Sequence, residues 1–287
     1  YTAYGASGVS SAPGSSAGRR MRRAALAIVA LLCLGACSST TVAPTAKAKA
    51  AEDEVDSRRP TPPRDARTRA KLHTELGSLY LQSGNLAVAL QELLIAIDID
   101  PDYGKAYGTR ALAHFGIREL ELADRDFQRA LSIDRNDPDI SNNYGWFLCQ
   151  IGRGKEGITY LQRALKDPLY ETPERAYLNA GGCYATLGDL AKAETFVQQS
   201  LRLAPGNPQA ELQLANIYYR RGDLQLANEQ LASLVRKTEP NAEARWLMVR
   251  VERSLGNRQA EARYSAQLRR KFPLSPEAEE LLKGNFE

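Results

Sequence analysis

Residues 74–101 read TELGSLYLQSGNLAVALQELLIAIDIDP, and the small residues of this stretch recur along the chain every 34 residues. Ala89 is followed by Ala123, and Ala96 by Ala130, each 34 positions later. Other small residues further along keep the same step: Ala130 and Ala164, Ala193 and Ala227, and Gly188, Gly222 and Gly256. A fixed period of this length is typical of stacked helix-turn-helix units. Such arrays usually present an extended surface to another protein and rarely catalyse reactions.

Within the quoted stretch, small residues stand where two packed helices need them. Gly77 and Ala89 are expected at the point where the helices cross. Gly84 would end the first helix in a left-handed backbone conformation, which glycine adopts at little cost. Pro101 would stop the second helix, because proline cannot continue the helical hydrogen bonds. The stretch therefore predicts two antiparallel helices joined by a tight turn.

The same positions are matched in five units between residues 70 and 240, and together they resemble the tetratricopeptide repeat (TPR) family. The resemblance implies an all-α fold, a TPR solenoid of about six helix-turn-helix repeats that form a right-handed superhelix. A sixth unit from 242 is less regular, because Glu261 stands where a small residue belongs, as is common in end repeats. A two-residue slip falls in 166–173, where two prolines favour a longer loop. We predict a TPR array over 65–287, with repeats near 70–103, 104–137, 138–173, 174–207, 208–241 and 242–275, followed by a C-terminal helix.

The segment before the array has the pattern of a secretory signal. Residues 19–23 read RRMRR, residues 24–34 are an apolar run, and small residues precede Cys37. The run is shorter than the roughly 20 residues that cross a bilayer. The LGAC sequence at 34–37 resembles the bacterial lipobox, which implies that Cys37 carries lipid, whereas the alternative is an ordinary cleaved signal with a coincidental cysteine. We predict an upstream extension over 1–20 and a lipoprotein signal peptide over 21–36.

The residues after Cys37 predict where the protein is held. By resemblance to Gram-negative lipoproteins, Asp in the next position favours the inner membrane, so Ser38 favours the periplasmic face of the outer membrane. Residues 37–64 are predicted to form a lipidated flexible tether, because they lack the large apolar side chains needed to fold. About 27 flexible residues reach roughly 30 Å. The array would therefore hang close to the membrane surface.

Charge argues against nucleic acid as a partner. The formal net charge of the chain is +4, and it comes from four arginines of the segment before Cys37. Without that segment the chain has 34 basic and 34 acidic residues. A nucleic-acid-binding domain carries a basic excess. We therefore predict no nucleic-acid partner.

Two cysteines remain after the predicted processing, Cys149 and Cys183, and they are 34 residues apart. Both fall in the first helices of consecutive units, and such helices are neighbours in a stack. An oxidising periplasm would let them pair as a disulfide. The alternative is two buried, reduced side chains that pack as small apolar groups.

Sequence motifs for catalysis, metal binding or nucleotide binding are missing. Neither His73 nor His114 has a second His or a Cys at metal-ligand spacing. The GRGKEG segment at 152–157 lacks the Ser or Thr that ends a phosphate-binding loop, and it falls on a predicted turn between helices. We predict that the protein is not an enzyme and that it takes no cofactor, no metal and no small-molecule substrate.

Exposed positions on the first helices are the candidate partner contacts, because these helices line the concave side of a TPR array. Aromatic side chains there can anchor a partner, although each could instead pack in the core. An Asn amide can pair with a peptide backbone, because it both donates and accepts, although it could equally cap a neighbouring helix. No Lys and Arg clamp for a C-terminal carboxylate is visible. The predicted protein-binding groove consists of Phe115, Asn142, Trp146, Asn216, Tyr219 and Trp246.

The NNYGWFL stretch at 142–148, the RRKFPLS stretch at 269–275, the six-unit layout and the lipobox together resemble the type IV pilus biogenesis and stability lipoproteins of the PilF/PilW type. That family resemblance implies a pilotin, which sits on the inner leaflet of the outer membrane and promotes assembly of the secretin ring. The expected partners are the secretin subunit and, through the lipid, the outer membrane. The resemblance also supports the disulfide, which occurs in some members. The alternative is a TPR lipoprotein scaffold of outer-membrane β-barrel assembly or cell-wall machinery.

Overall fold

The computed structural model describes residues 63–286, so the predicted extension, the signal peptide, Cys37 and nearly all of the tether lie outside the described residues. Within that range the chain forms thirteen α-helices and no strand. Twelve of these helices form six consecutive antiparallel pairs, and the last stands alone. The helices are α1 Pro63–Gln82, α2 Leu86–Ile99, α3 Gly104–Gly116, α4 Leu120–Ile133, α5 Pro138–Gln150, α6 Gly154–Leu165, α7 Pro173–Thr186, α8 Leu190–Leu203, α9 Pro208–Arg221, α10 Leu224–Lys237, α11 Ala242–Ser254, α12 Arg258–Lys271 and α13 Pro276–Lys283.

The predicted all-α solenoid of helix pairs is confirmed. Each helix packs on its partner in the pair, and each first helix also packs on the first helix of the next pair. The first helix starts at Pro63, before the predicted start of the first repeat at 70. Proline is favoured at the first helical position, where its missing N–H has no partner to lose. The slip between units three and four is a longer loop from α6 to α7.

Small residues at the helix crossings set the closeness of each pair. A Cβ added to Gly145 on α5 would lie 2.7 Å from the carbonyl oxygen of Gly157 on α6. A Cβ added to Gly157 would lie 2.6 Å from the Cys149 sulfur. Real Cβ atoms do not approach other atoms so closely. The 34-residue recurrence of small residues is therefore the mark of backbones in direct contact.

Turns between paired helices rely on left-handed backbone geometry. Five of the six pairs place a glycine with positive φ directly after the first helix or one residue later, and pairs three to six do so with Gly152, Gly188, Gly222 and Gly256. The first pair does the same with Gly84, at φ 78°. The second pair is the exception, because Arg118 holds φ 66° at the corresponding position.

The C-terminal helix closes the stack. Ser275 caps it by accepting a hydrogen bond from the Ala278 backbone N–H at 3.2 Å, and Pro276 takes the first helical position. Glu277 and Glu279 lie in the first turn, where negative charge is favoured by the helix dipole. This helix packs on α11 and α12 and forms with them a cluster that contains Trp246, Val249, Leu268 and Ala278.

Candidate protein-binding cleft

A cleft of about 530 Å³ lies along the first helices of units three to five. Trp146 and Gln150 on α5 form one wall, Asn179 on α7 lies in the middle, and Gln213 and Asn216 on α9 form the other wall. Further lining residues are Asn207 just before α9, Gln209 in the first turn of α9 and Glu243 at the start of α11. The cleft is therefore long enough to cross three repeats.

Amide side chains dominate the lining. Among residues 63–286, the side chains of Gln150, Gln213 and Asn216 make no hydrogen bond. Asn179 donates from Nδ2 to Asn142 Oδ1 at 2.9 Å. A primary amide offers both a donor and an acceptor, which matches the alternating groups of a peptide backbone. The cleft is thus chemically suited to the backbone of an extended stretch of polypeptide.

An aromatic cluster supports one wall of the cleft. The Trp146 ring meets the Phe115 ring edge to face, with centroids 5.2 Å apart. Phe115 in turn meets Phe147 at 5.5 Å. Trp146 remains half-buried, with its other face toward the cleft. Of the predicted groove aromatics, Phe115 and Trp146 are therefore brought into contact, and Trp146 lines the same cleft as Asn216.

Asn142 lies beneath the cleft and not on its surface. It is 1% exposed, accepts from Asn179 and donates from Nδ2 to Asn143 Oδ1 at 3.2 Å. The predicted exposed amide is corrected in this respect, because a side chain that is buried between α5 and α7 is out of reach of a ligand. Its role in this structure is to bridge units three and four.

The rest of the NNYGWFL stretch serves the junction between units two and three. The buried Tyr144 ring stacks on Phe127 of the preceding unit, with centroids 5.1 Å apart. Its hydroxyl donates to Asp124 Oδ1 at 2.7 Å. Burial raises the pKa of this hydroxyl well above its usual value of 10.0, and the hydrogen bond to Asp124 adds to the rise. The motif is thus explained by packing between repeats, with the half-buried Trp146 as the member that reaches the cleft.

Tyr219 and Trp246 lie apart from the aromatic cluster. The Arg250 guanidinium sits 4.9 Å from the Tyr219 ring centroid and 5.7 Å from the Trp246 ring centroid. Burial lowers the pKa of Arg250 below its usual value. Trp246 is 8% exposed and packs against Phe286 with centroids 5.4 Å apart. The four aromatic residues of the predicted groove therefore form two separate pairs, and Trp246 belongs to the terminal cluster.

Cys149 and Cys183 are bonded in the structure, with their Cα atoms 5.5 Å apart. Both are buried, at 7% and 2% exposure, and both line the floor of the cleft. The bond joins α5 to α7, the same two helices that Asn142 and Asn179 join. Two independent links therefore hold the floor at units three and four.

Sequence reasoning missed Asn179 and Gln213. A usable signal was present, because Asn143, Asn179 and Gln213 occupy the same place in units three, four and five. A polar amide repeated at the array period marks a row along one surface of a solenoid.

Within residues 63–286, no group of three or more His, Cys, Asp or Glu side chains could hold a metal ion. None of the helices described is both long enough and apolar enough to cross a membrane.

Comparison with known proteins agrees with this architecture. One tetratricopeptide repeat family model matches residues 74–139 and 150–208, and a second such model matches 184–251. Type IV pilus assembly protein PilF of Pseudomonas aeruginosa is 30% identical over 208 residues, which is 72% of this chain and 82% of that protein. The chain belongs to the PilF family.

Solved structures support membership of the PilF family. The crystal structure of PilW, described as a widely conserved type IV pilus biogenesis factor, aligns with a TM-score of 0.67 at 33% identity, over 74% of this chain and 98% of that one. The structure of Pseudomonas aeruginosa PilF aligns with a TM-score of 0.65 at 28% identity, over 77% of this chain and 100% of that one. The expected resemblance to the PilF/PilW type is therefore confirmed.

Proposed function

We propose that this protein is a non-enzymatic adaptor of type IV pilus biogenesis that binds the secretin subunit and promotes its localisation and multimerisation at the outer membrane. The observation that carries the proposal is the match to PilF and PilW over nearly their whole lengths. The cleft adds a physical reason, because its free amides and the Trp146 wall suit an extended segment of an unassembled subunit.

The proposed anchor is lipid on Cys37, at the periplasmic face of the outer membrane. Several acyl chains hold a protein on a bilayer durably, whereas a single one does not. A tethered cleft raises the local concentration of the bound subunit beside the membrane in which the ring forms. The Cys149–Cys183 bond supports an oxidising compartment. Labelling with radioactive palmitate, with Cys37→Ser as the control, tests the anchor, and equal labelling of both forms would refute it.

The binding test uses the purified secretin subunit and the full chain. We expect Trp146→Ala to weaken binding by at least about tenfold, since a central aromatic anchor carries a large share of binding energy. Asn216→Ala tests the amide wall with less disturbance of packing. Gln225→Ala, at an exposed position of α10, is the matched control and should bind as the parent does. Equal affinity of all four proteins would exclude the cleft as the binding site.

A cellular experiment separates the proposal from its alternative. Deletion should reduce the number of secretin multimers and abolish twitching motility, while other outer-membrane proteins stay at normal levels. A general loss of outer-membrane proteins would instead favour a scaffold of β-barrel assembly or of cell-wall machinery. Restoration by the parent gene, but not by the Trp146→Ala form, would link the cellular effect to the cleft.

A further inference from the structure

A second pocket, of about 430 Å³, lies between α10, α11 and α12, at the C-terminal part of the array. Four of its lining side chains are cationic and one is a carboxylate, so three positive charges are not compensated within it. Its walls include apolar side chains from all three elements. The cations are Arg245, Arg263, Arg270 and Lys271, the carboxylate is Glu239, and the apolar walls come from Val235, Pro240, Met248 and Tyr264.

Arg245 is the buried base of this pocket. It is 3% exposed, and its guanidinium donates to Gln267 Oε1 from Nη1 and to Glu239 Oε1 from Nη2. Its Nε–H is buried and has no acceptor among residues 63–286. Burying a charged group is costly unless it is paired, so a guanidinium held here with an unused donor is a built feature of the site.

Glu239 shows what kind of group the pocket accepts. One of its oxygens receives hydrogen bonds from both Arg245 and Lys271, the latter at 2.5 Å. The hydrogen bond from Lys271 lowers the pKa of the Glu239 carboxyl below its usual value. The Glu239 side chain is nevertheless 67% exposed, so it rests at the mouth of the pocket. A carboxylate oxygen between Arg245 and Lys271 is thus already part of the structure.

The helix dipole explains only part of the positive charge that lines this pocket. Cations in the last turn of α12 are favoured by the carbonyl ends of the helix, which accounts for Arg270 and Lys271. It does not account for Arg263, in the middle of the same helix, or for Arg245 on α11. Arg263 lies over the Tyr264 ring at 4.7 Å and donates to the Tyr264 hydroxyl at 3.0 Å, and neither Arg263 nor Arg270 has an acid partner among residues 63–286. Two cations therefore flank the mouth and remain available to a ligand.

We propose that this pocket binds an acidic peptide segment of a partner protein, with a carboxylate between Arg263 and Arg270 and a neighbouring apolar side chain against Val235 and Tyr264. Apolar walls favour a peptide over a bare phosphate, which would leave them exposed. The uncompensated charges select an acidic ligand through attraction and hydrogen bonding. The site is separate from the amide-lined cleft, and it does not depend on the identity of the partner proposed above.

Isothermal titration calorimetry on the full chain tests the proposal with a peptide of alternating Glu and Leu, and with the same peptide carrying Gln for Glu. We expect the acidic peptide to bind and the Gln peptide not to bind. The variant Arg263→Gln/Arg270→Gln should weaken binding at least about tenfold, because hydrogen bonds to charged groups are among the strongest. The control Arg236→Gln/Arg269→Gln removes the same charge at exposed positions outside the pocket and should stay within about twofold.

Four results would overturn the proposal. Equal weakening in both double variants would mean attraction to net charge without a site. Equal binding of the Gln peptide would remove the role of the carboxylate. Competition by inorganic phosphate at the peptide's own affinity would assign the pocket to phosphate. Binding of phosphatidylglycerol vesicles with the same dependence on Arg263 and Arg270 would assign it to a lipid surface. Circular dichroism of each variant shows that the helices are retained.

Discussion

The two ends of the array differ in how they meet water. At the C-terminal end, α13 covers the last pair, so that Val249 and Leu268 have no exposed surface and Trp246 is 8% exposed. At the N-terminal end, the outer face of α1 carries Leu72, Leu76 and Leu79, which are 59%, 38% and 61% exposed. None of the helices described packs against that face, because α1 contacts only α2 and α3. Within residues 63–286, one end of the solenoid is therefore closed and the other is open.

Comparison with the other repeats shows the nature of the exposed leucine face of α1. The positions that correspond to Leu72, Leu76 and Leu79 in unit five are Ala210, Leu214 and Ile217, and all three are at most 4% exposed. The corresponding residues of units three, four and six are also buried against the preceding repeat: Ile140, Tyr144 and Phe147; Ala176, Ala180 and Cys183; and Ala244, Met248 and Val251. The leucines of α1 are therefore a stacking surface that no repeat among residues 63–286 covers. Terminal repeats of solenoids usually present a polar outer face, so stacking is closed at α13 and can continue at α1.

Removal of residues 275–287 would make the two ends alike, and it is the largest predicted effect. Without α13, Trp246 and Leu268 lose their cover. Full burial of a large apolar side chain contributes about 1.5–3 kcal/mol, so the free energy of unfolding of the last pair should fall by up to about 6 kcal/mol. Hydrogen exchange should accelerate in α11 and α12 and remain unchanged in α1 to α6.

The matched control for this truncation is Leu282→Ala, in the same helix. Leu282 is 71% exposed, so its truncation should leave exchange in α11 and α12 as it is in the parent. If loss of α13 left that exchange unchanged, the helix would not be a cap. The closed and open ends would then be equivalent in energy.

A pair of leucines in the same repeat position measures the difference directly. Leu214→Ala should lower the free energy of unfolding by about 2–5 kcal/mol, since it removes buried methyl groups and leaves a cavity. Leu76→Ala should cost less, about 1–2 kcal/mol, because 38% of that residue is already exposed to water. Urea denaturation of both variants checks the values.

Equal losses in the two leucine variants would contradict the comparison. They would mean that α1 carries a covering partner in the free protein. The affinity of the Leu76→Ala form for a binding partner is then compared with that of the parent. A loss of affinity would show that this face contributes to binding as well as to the stability of the array.

The sequence predicted the fold closely because close helix packing restricts residue type. Only small residues fit where Gly145 meets Gly157, so the pattern repeats at the period of the structure. The start of α1 was harder to predict from the sequence, because Pro63 can begin a helix or end a tether. Helix caps were also predictable, because a cap needs a side chain that can bond the first free N–H groups of the helix. Ser275, which precedes Pro276, is an example.

The sites were predicted less well, because they depend on which neighbour each side chain meets. Asn142 was expected on the surface, yet it is buried and its amide bonds Asn143 and Asn179. Trp246 was expected in the groove, but Phe286, forty residues later, packs against it. The basic pocket also escaped the sequence analysis, because Arg245 and Lys271 converge only after α11 and α12 pack together.

The smallest predicted effect concerns two of the turns within helix pairs, the turn after α3 and the turn after α9. Arg118, after α3, holds the left-handed conformation that Gly222 holds after α9, with φ values of 66° and 88°. A side chain in this conformation is strained by roughly 1 kcal/mol, partly offset because glycine gives the unfolded chain more freedom. Arg118→Gly should therefore raise the free energy of unfolding by about 0.5–1 kcal/mol, whereas Gly222→Arg should lower it by a similar amount.

Steric clashes do not contribute to the stability changes expected for this last pair of variants. A Cβ added at Gly222 meets no atom within 4 Å, so any loss there comes from the backbone conformation alone. Thermal unfolding of both variants, with Arg118→Ala as the control that keeps the Cβ, measures the contrast. Stabilisation by Ala as large as that by Gly would show that the arginine side chain, and not its backbone, is the source of the difference. The turn after α3 would then be no weaker than the turn after α9.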